Sequence, residues 1–245
     1  MKHILISGGA GSVGLAIARR FAEDGYHVSL IDRESPKGAE VLARLHGDGH
    51  EFFACDLTRI DEVQKTIAKA VETFGTPDAC VHCAVEPIVR EPLVGMETGT
   101  FQKQFDVSLF GGFSFLTETA KQMKEKKSGY IIGITSSVTD VNSHAARMGA
   151  YTCAKFALRG LLRELAHELA PYNIHVHAVA PGLMQTPLNA DLPDRIYDAA
   201  EAGNPMHIRI TPEDVADTVH FLCSEDAKSL TGLSIPVTGG GDMTI

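Results

Sequence analysis

The chain has 245 residues, 44% of them hydrophobic, with 22 basic and 31 acidic side chains and a formal charge of −9. That length suits one large α/β sheet, and the acidic balance argues against a nucleic-acid backbone or an anionic membrane surface as partner. No apolar run approaches the ~20 residues that span a bilayer, strand-like sequence starts at once in place of a signal-peptide layout, and five cysteines without framework spacing point to reduced thiols in a cytoplasm.

Lys2 to Ser7 reads as a short strand of β-branched and apolar residues. Gly8-Gly9-Ala10-Gly11-Ser12-Val13-Gly14 follows, and Val13, Ile17, Ala18 and Phe21 then keep helical spacing up to Gly25. His27 to Ile31 is a second strand, ending at Asp32, which lies 18 residues after Gly14 and 24 after Gly8. A glycine cluster alone is equally an ordinary tight turn. Between a strand and a helix it lets the backbone approach a pyrophosphate at the helix N-terminus. A carboxylate closing the second strand can accept hydrogen bonds from ribose hydroxyls, and it repels a 2′-phosphate.

Further along, the pattern predicts a strand over 51–55, a helix over 59–73 and a strand over 78–83. A long helix is expected from Phe101 to Lys124, a strand over 130–135, a second long helix from Ala150 to Ala170 and a strand from Ile174 to Val179. Pro212 to Ser224 reads as a helix and Leu233 to Val237 as the last strand. Strands alternating with helices imply a parallel, doubly wound sheet with helices on both faces, in a single domain over 1–245. Residues 183–210, with Pro187, Pro193, Gly203 and Pro205, are the least regular stretch. They follow the C-terminal end of a strand, the edge where open α/β sheets bind ligands.

Tyr151-Thr152-Cys153-Ala154-Lys155 places a phenol and an ammonium four residues apart, on one face of the second long helix. A free phenol has a pKa near ~10, and a fixed positive charge beside it favours phenolate. The pair can therefore exchange a proton with an alcohol or carbonyl. A Tyr four before a Lys is also common on plain helix surfaces, so the weight rests on its company.

That company is extensive. Ser7-Gly8 through Gly14, Asp56-Leu57, Val81-His82-Cys83-Ala84, Gly129 through Ser136, Tyr151 with Lys155, Val179-Ala180-Pro181-Gly182 with Thr186, Thr211 through Ala216, and Thr231-Gly232 through Gly240-Gly241 occur in this order. Together they resemble the short-chain dehydrogenase/reductase family over nearly the whole chain. The resemblance implies a Rossmann-type fold, NAD as cofactor, and oxidoreduction of a small secondary alcohol or ketone. It implies a catalytic set of Ser136, Tyr151 and Lys155, in which Lys155 lowers the tyrosine pKa and holds the nicotinamide ribose. Cofactor contacts are implied at Gly8, Ser12, Val13, Gly14, Asp32, Asp56, Leu57, Cys83 and Ala84, and again at Tyr151, Lys155, Met184 and Thr186. The long helices from Phe101 and Ala150 are similar to the pair that builds oligomer contacts in that family, so a homotetramer or dimer is expected.

Several positions depart from the family pattern. Ser12 stands for the middle glycine of the turn, and the Asn-Asn-Ala-Gly segment has become His82-Cys83-Ala84-Val85. Ser108 replaces the helix asparagine that orders a proton-relay water in the family. Counting along the fifth strand from Gly129 favours Ser136 as the active-site serine, whereas spacing to Tyr151 favours Ser137. Ser108 also leaves open a dinucleotide-binding redox sensor without turnover, and a nicotinamide-assisted isomerase or dehydratase is a further alternative on this scaffold. Arg147, with His144, is a candidate reader of an anionic substrate group, against the plainer role of a surface or subunit-contact arginine.

Other clusters have plainer explanations. Cys80-Val81-His82-Cys83 has zinc-like spacing without a second ligand pair, and His175 and His177 share one strand face without an acidic or thiol partner nearby in sequence. No metal is expected at either. Lys121, Lys124, Lys126 and Lys127 form a basic helix end that complements the helix dipole.

Overall fold

The computed structural model describes residues 1–33, 38–139 and 147–242. The strands are β1 (His3–Ser7), β2 (His27–Asp32), β3 (Glu51–Ala54), β4 (Ala79–His82), β5 (Gly129–Ile134), β6 (Ile174–Pro181) and β7 (Ser234–Val237). They form one parallel sheet in the order β3-β2-β1-β4-β5-β6-β7. Chain direction across the sheet reverses between β1 and β4, where Ser7 lies level with both Ile31 and His82. This is a Rossmann-type doubly wound single domain, and its crevice opens where the order reverses.

Both faces of the central strands are buried, which explains why Ile4, Leu5 and Ile6 of β1 are apolar in succession instead of alternating with polar residues. Ile4 and Ile6 point to one side and Leu5 to the other. On the first side lie α1 (Ser12–Glu23) and α8 (Pro212–Leu222), packed through Ile17, Phe21, Val215 and Val219. On the other side α3 (Ile60–Phe74), α5 (Gly112–Lys126) and α6 (Gly149–Leu169) bring Ile67, Phe115 and Leu158 against the sheet. The two faces of the helix pair α1 and α8 are also joined at their rims. Arg20 meets Asp217 at 3.3 Å, His220 bonds Asp24, and the Phe21 ring meets the His220 ring edge-on at 5.2 Å. α8 begins with a capping box in which the Thr211 hydroxyl accepts from the Asp214 amide and the Asp214 carboxylate accepts from the Thr211 amide.

The long helix expected from Phe101 starts earlier and is not uniform. It is α4 (Thr98–Phe105), a π-helical segment (Asp106–Gly111) and then α5. Two glycines let this wide turn press inward. A Cβ on Gly111 would sit 2.9 Å from the Leu57 Cβ, and one on Gly112 would sit 2.7 Å from His82 Nε2. Two helices also appear where the pattern gave none: α2 (Gly38–Leu42) and α7 (Asp194–Gly203), the latter inside the irregular stretch 183–210. The basic end of α5 is partnered: Lys126 pairs with Asp78, and Lys124 lies 4.4 Å from the centre of the Tyr172 ring.

Candidate active site

β1 ends in a turn that only glycine can make. Gly8 has φ +70°, its amide donates to the Ile31 carbonyl at 2.8 Å, and a Cβ on it would meet the Ala84 amide nitrogen at 2.7 Å. Gly14 is needed for a different reason: its Cβ would lie 2.3 Å from the Gly8 carbonyl oxygen, so helix and turn could not close. Gly11 at the N-cap of α1 offers no side chain to cap the first turn, and the helix presents Ser12, Val13 and Gly14 at its positive end. Ser12 in place of glycine is accommodated because the chain is already helical there.

An open cleft of about 570 Å³ runs from this turn over the ends of β2, β3 and β4. Of the residues expected to touch a cofactor, Gly8, Asp32, Asp56, Leu57, Cys83 and Ala84 line it, and Arg33, Val85 and Val107 join them. The Asp32 carboxylate accepts from the Ala10 amide at 3.0 Å and from the Arg33 amide at 2.8 Å, so it is fixed against the glycine turn with lone pairs to spare. Burial raises the Asp56 carboxyl, but hydrogen bonds from the Thr58 amide and hydroxyl outweigh it and hold the group below its usual range. An uncapped helix N-terminus, a glycine cradle and a carboxylate at the far wall fit an adenine dinucleotide.

The proton-transfer candidates sit beyond the cleft. Tyr151 and Lys155 are buried on the first turns of α6, with the Lys155 Nζ 5.7 Å from the Tyr151 ring centre. Lys155 Nζ donates to the Ile134 carbonyl at 2.8 Å, and burial pushes its pKa down to about 8. Ser136, at the end of β5, is buried and close enough for its hydroxyl to lower the Tyr151 pKa. Its turn is held by Thr139, whose hydroxyl donates to the Ser136 carbonyl at 2.8 Å, and by Arg159 of α6, which donates to the Thr139 carbonyl at 2.6 Å. Ser137 instead opens a short 3-10 turn (Ser137–Thr139).

Burial dominates at Tyr151 and raises its pKa; the Ser136 hydroxyl and then the Arg90 guanidinium oppose it. Arg90 is absent from the sequence-based set. It lies in the loop after β4, where nothing local marks it, and its partners Asn189 and Asp191 are about a hundred residues away in the chain. Arg90 Nη2 donates to Asn189 Oδ1 at 2.7 Å, and its Nε to Asp191 Oδ2 at 2.9 Å. Asn189 in turn donates to the Met184 carbonyl at 3.1 Å. Met184 pairs with Ile210 in a single bridge, and Thr186 precedes the 3-10 turn Pro187–Asn189; neither lines the cleft. Arg147 is exposed with a left-handed backbone at φ +63°, while His144 lies outside the described residues.

The altered segment after β4 is built into the site. His82 is fully buried; its Nδ1 is 2.7 Å from the Ser7 hydroxyl and its Nε2 is 3.2 Å from the Ser108 carbonyl in the π segment. Burial, and then the charge of Lys155, push the His82 pKa down to about 3, so the ring is neutral. A neutral ring that donates from Nε2 to the carbonyl accepts from Ser7 at Nδ1. The Ser108 hydroxyl itself has no hydrogen-bond partner among the described residues. Cys83 lines the cleft, and burial raises its thiol to about 12. No group of three or more metal-ligating side chains comes together among the described residues, nor is any helix among them long and apolar enough to cross a membrane.

Comparison with known proteins agrees with this architecture. A family profile described as enoyl-(acyl carrier protein) reductase matches residues 8–242. Zerumbone synthase of Zingiber zerumbet is 32% identical, covering 98% of this chain and 94% of that protein. The 3-oxoacyl-[acyl-carrier-protein] reductase FabG of Staphylococcus epidermidis is also 32% identical, covering 98% of both. Among solved structures, gox2181 superposes with a TM-score of 0.92 at 30% identity, covering 98% of this chain and 95% of that one. An actinorhodin polyketide ketoreductase variant crystallised with NADPH gives 0.91 at 25% identity, covering 98% and 97%. The chain therefore belongs to the short-chain dehydrogenase/reductase family, whose members are oxidoreductases of alcohol and ketone groups that bind a nicotinamide dinucleotide.

Proposed function

We propose that this protein is an NAD-dependent oxidoreductase that interconverts a secondary alcohol and a ketone, with Tyr151, Ser136 and Lys155 as its catalytic residues. The observation that carries the proposal is the meeting of Ser136, just past β5, with Tyr151 and Lys155 from α6 beside the Asp32 cleft. When bound, the nicotinamide supplies the hydride chemistry. Gly8 and the amides of Ser12, Val13 and Gly14 hold the pyrophosphate, and Asp32 takes the adenosine ribose hydroxyls. Asp56, Leu57, Cys83 and Ala84 flank the adenosine half, with Met184 and Thr186 toward the nicotinamide. Tyr151 moves the proton of the reacting hydroxyl, Ser136 hydrogen-bonds that oxygen, and Lys155 orients the ribose beside them.

NAD is preferred over NADP in this proposal because the Asp32 charge stands where a 2′-phosphate would lie. Arg33 supports the opposite preference, but its Nη2 is 3.4 Å from Glu86 Oε2. Residues 183–210 form the substrate-binding loop. Phe110, Phe113 and Phe156, exposed on the π segment, α5 and α6, support a homo-oligomer, tetramer or dimer. A cytoplasmic location suits five unpaired cysteines. Screening secondary alcohols, sugars and hydroxy acids with NAD⁺ and with NADP⁺ tests the proposal through NAD(P)H absorbance. Cofactor binding without turnover of any alcohol or ketone in either direction would refute it.

A further inference from the structure

The site contains one positive charge that the proton transfer does not require. Arg90 reaches across from the loop after β4 to the loop after β6, and its side chain is only 17% exposed. The loop that carries it is seated on α6: the Leu93 side chain occupies the space that a Cβ on Gly149 would enter, two residues before Tyr151. On the far side, Asn189 is fixed by its bond to the Met184 carbonyl and by the Tyr197 hydroxyl, which donates to the Asn189 carbonyl at 2.6 Å. Arg90 is thus held between two anchored walls near the phenol. Arg147, the arginine that the sequence singles out, is exposed.

Among the described residues, two of the five guanidinium N–H donors are used, one on Asn189 and one on Asp191. Asp191 is the weaker hold, because its side chain is 58% exposed and water competes for it. Resting on the functional reading above, we propose that Arg90 is a specificity-determining residue that binds the carboxylate of a hydroxy acid or keto acid whose reacting oxygen lies at Tyr151. A single guanidinium shared with Asp191 suits a monoanion; a phosphate dianion would meet the Asp191 charge. Asp191 then acts as a placeholder that the substrate carboxylate displaces, while Asn189 keeps the guanidinium aimed.

The test uses the full-length protein with NAD⁺ or NADP⁺, and compares 3-hydroxybutyrate and lactate with their neutral methyl esters. It also measures acetoacetate and pyruvate binding to the NADH-bound protein. The native enzyme should favour at least one acid over its ester. Arg90→Met should lower kcat/KM for that acid about 10–100-fold more than for its ester, mainly through KM. Asp191→Asn separates charge recognition from a simple loop latch. It should shift kcat/KM toward the acid relative to its ester, whereas a latch would weaken both substrates alike in both variants. The proposal is overturned if the native enzyme prefers every ester, if no acid is turned over or bound, or if Arg90→Met affects acid and ester equally. Continued oxidation of neutral alcohols in those cases would leave the oxidoreductase assignment standing. Loss of all turnover with cofactor binding intact would remove that assignment instead.

Discussion

At Tyr151, removal of one oxygen separates chemistry from binding. Tyr151→Phe keeps the buried ring and deletes the acid, so turnover should fall about 10²–10⁴-fold while NADH binding, followed by fluorescence, stays close to native. Ser136→Ala should lower kcat and Ser137→Ala should not, because Ser136 is the serine whose hydroxyl bears on the phenol; the reverse result would move the role to Ser137. Asp32→Ala should narrow the ratio of kcat/KM with NAD⁺ to that with NADP⁺. Equal native values would sink the charge-repulsion argument. These residues were readable because each belongs to a short local pattern: a glycine turn, a strand-terminal acid, a Tyr and Lys one helical turn apart. Arg90 was not readable, because its meaning depends on Asn189 and Asp191 in a loop that only the fold brings near.

Among the elements, those set by their own periodicity were legible and those set by distant neighbours were not. β1 and α1 follow from apolar spacing around the glycines, and α8 from its Thr-Pro-Glu-Asp start. The π segment follows from contacts that no window of sequence contains. Its Ser108 carbonyl faces His82 of β4, and Gly112 leaves room for that ring. Gly112→Ala would place a methyl 2.7 Å from His82 Nε2, inside a packed layer. The expected loss is about 1–3 kcal/mol in denaturant unfolding. Adding His82→Ala to that variant should cost less than the two single losses summed, because the crowding partner is gone. Strict additivity would show that the crowding is not the cause. α7 escaped notice because Pro193 and Pro205 bracket a segment with one buried side chain, Tyr197, too few to set a period.

For the whole molecule, buried neutral histidines make acid the weak direction. Burial lowers His82 to about 3 and His177 to about 4, from ordinary values near 6.5. Above pH 6.5 both are neutral folded and unfolded, and they add no pH dependence. As pH falls from 6.5 toward 4, only the unfolded chain takes up the protons, so stability drops. The loss is about 2 kcal/mol per histidine by pH 5. Chemical unfolding at pH 7 and pH 5 measures it, and His82→Asn should reduce the difference; an unchanged slope would mean that His82 is not the source. A different consequence follows from the pairing of α1 with α8. During translation the helix after the glycine turn is made some two hundred residues before Val215, Val219 and Leu222, which cover its Ile17 and Phe21. A nascent chain that has already completed β6 still displays that apolar stripe to solvent. Ribosome-bound or prematurely terminated products ending before residue 212 should therefore be chaperone clients and aggregate, with no partial enzyme among them.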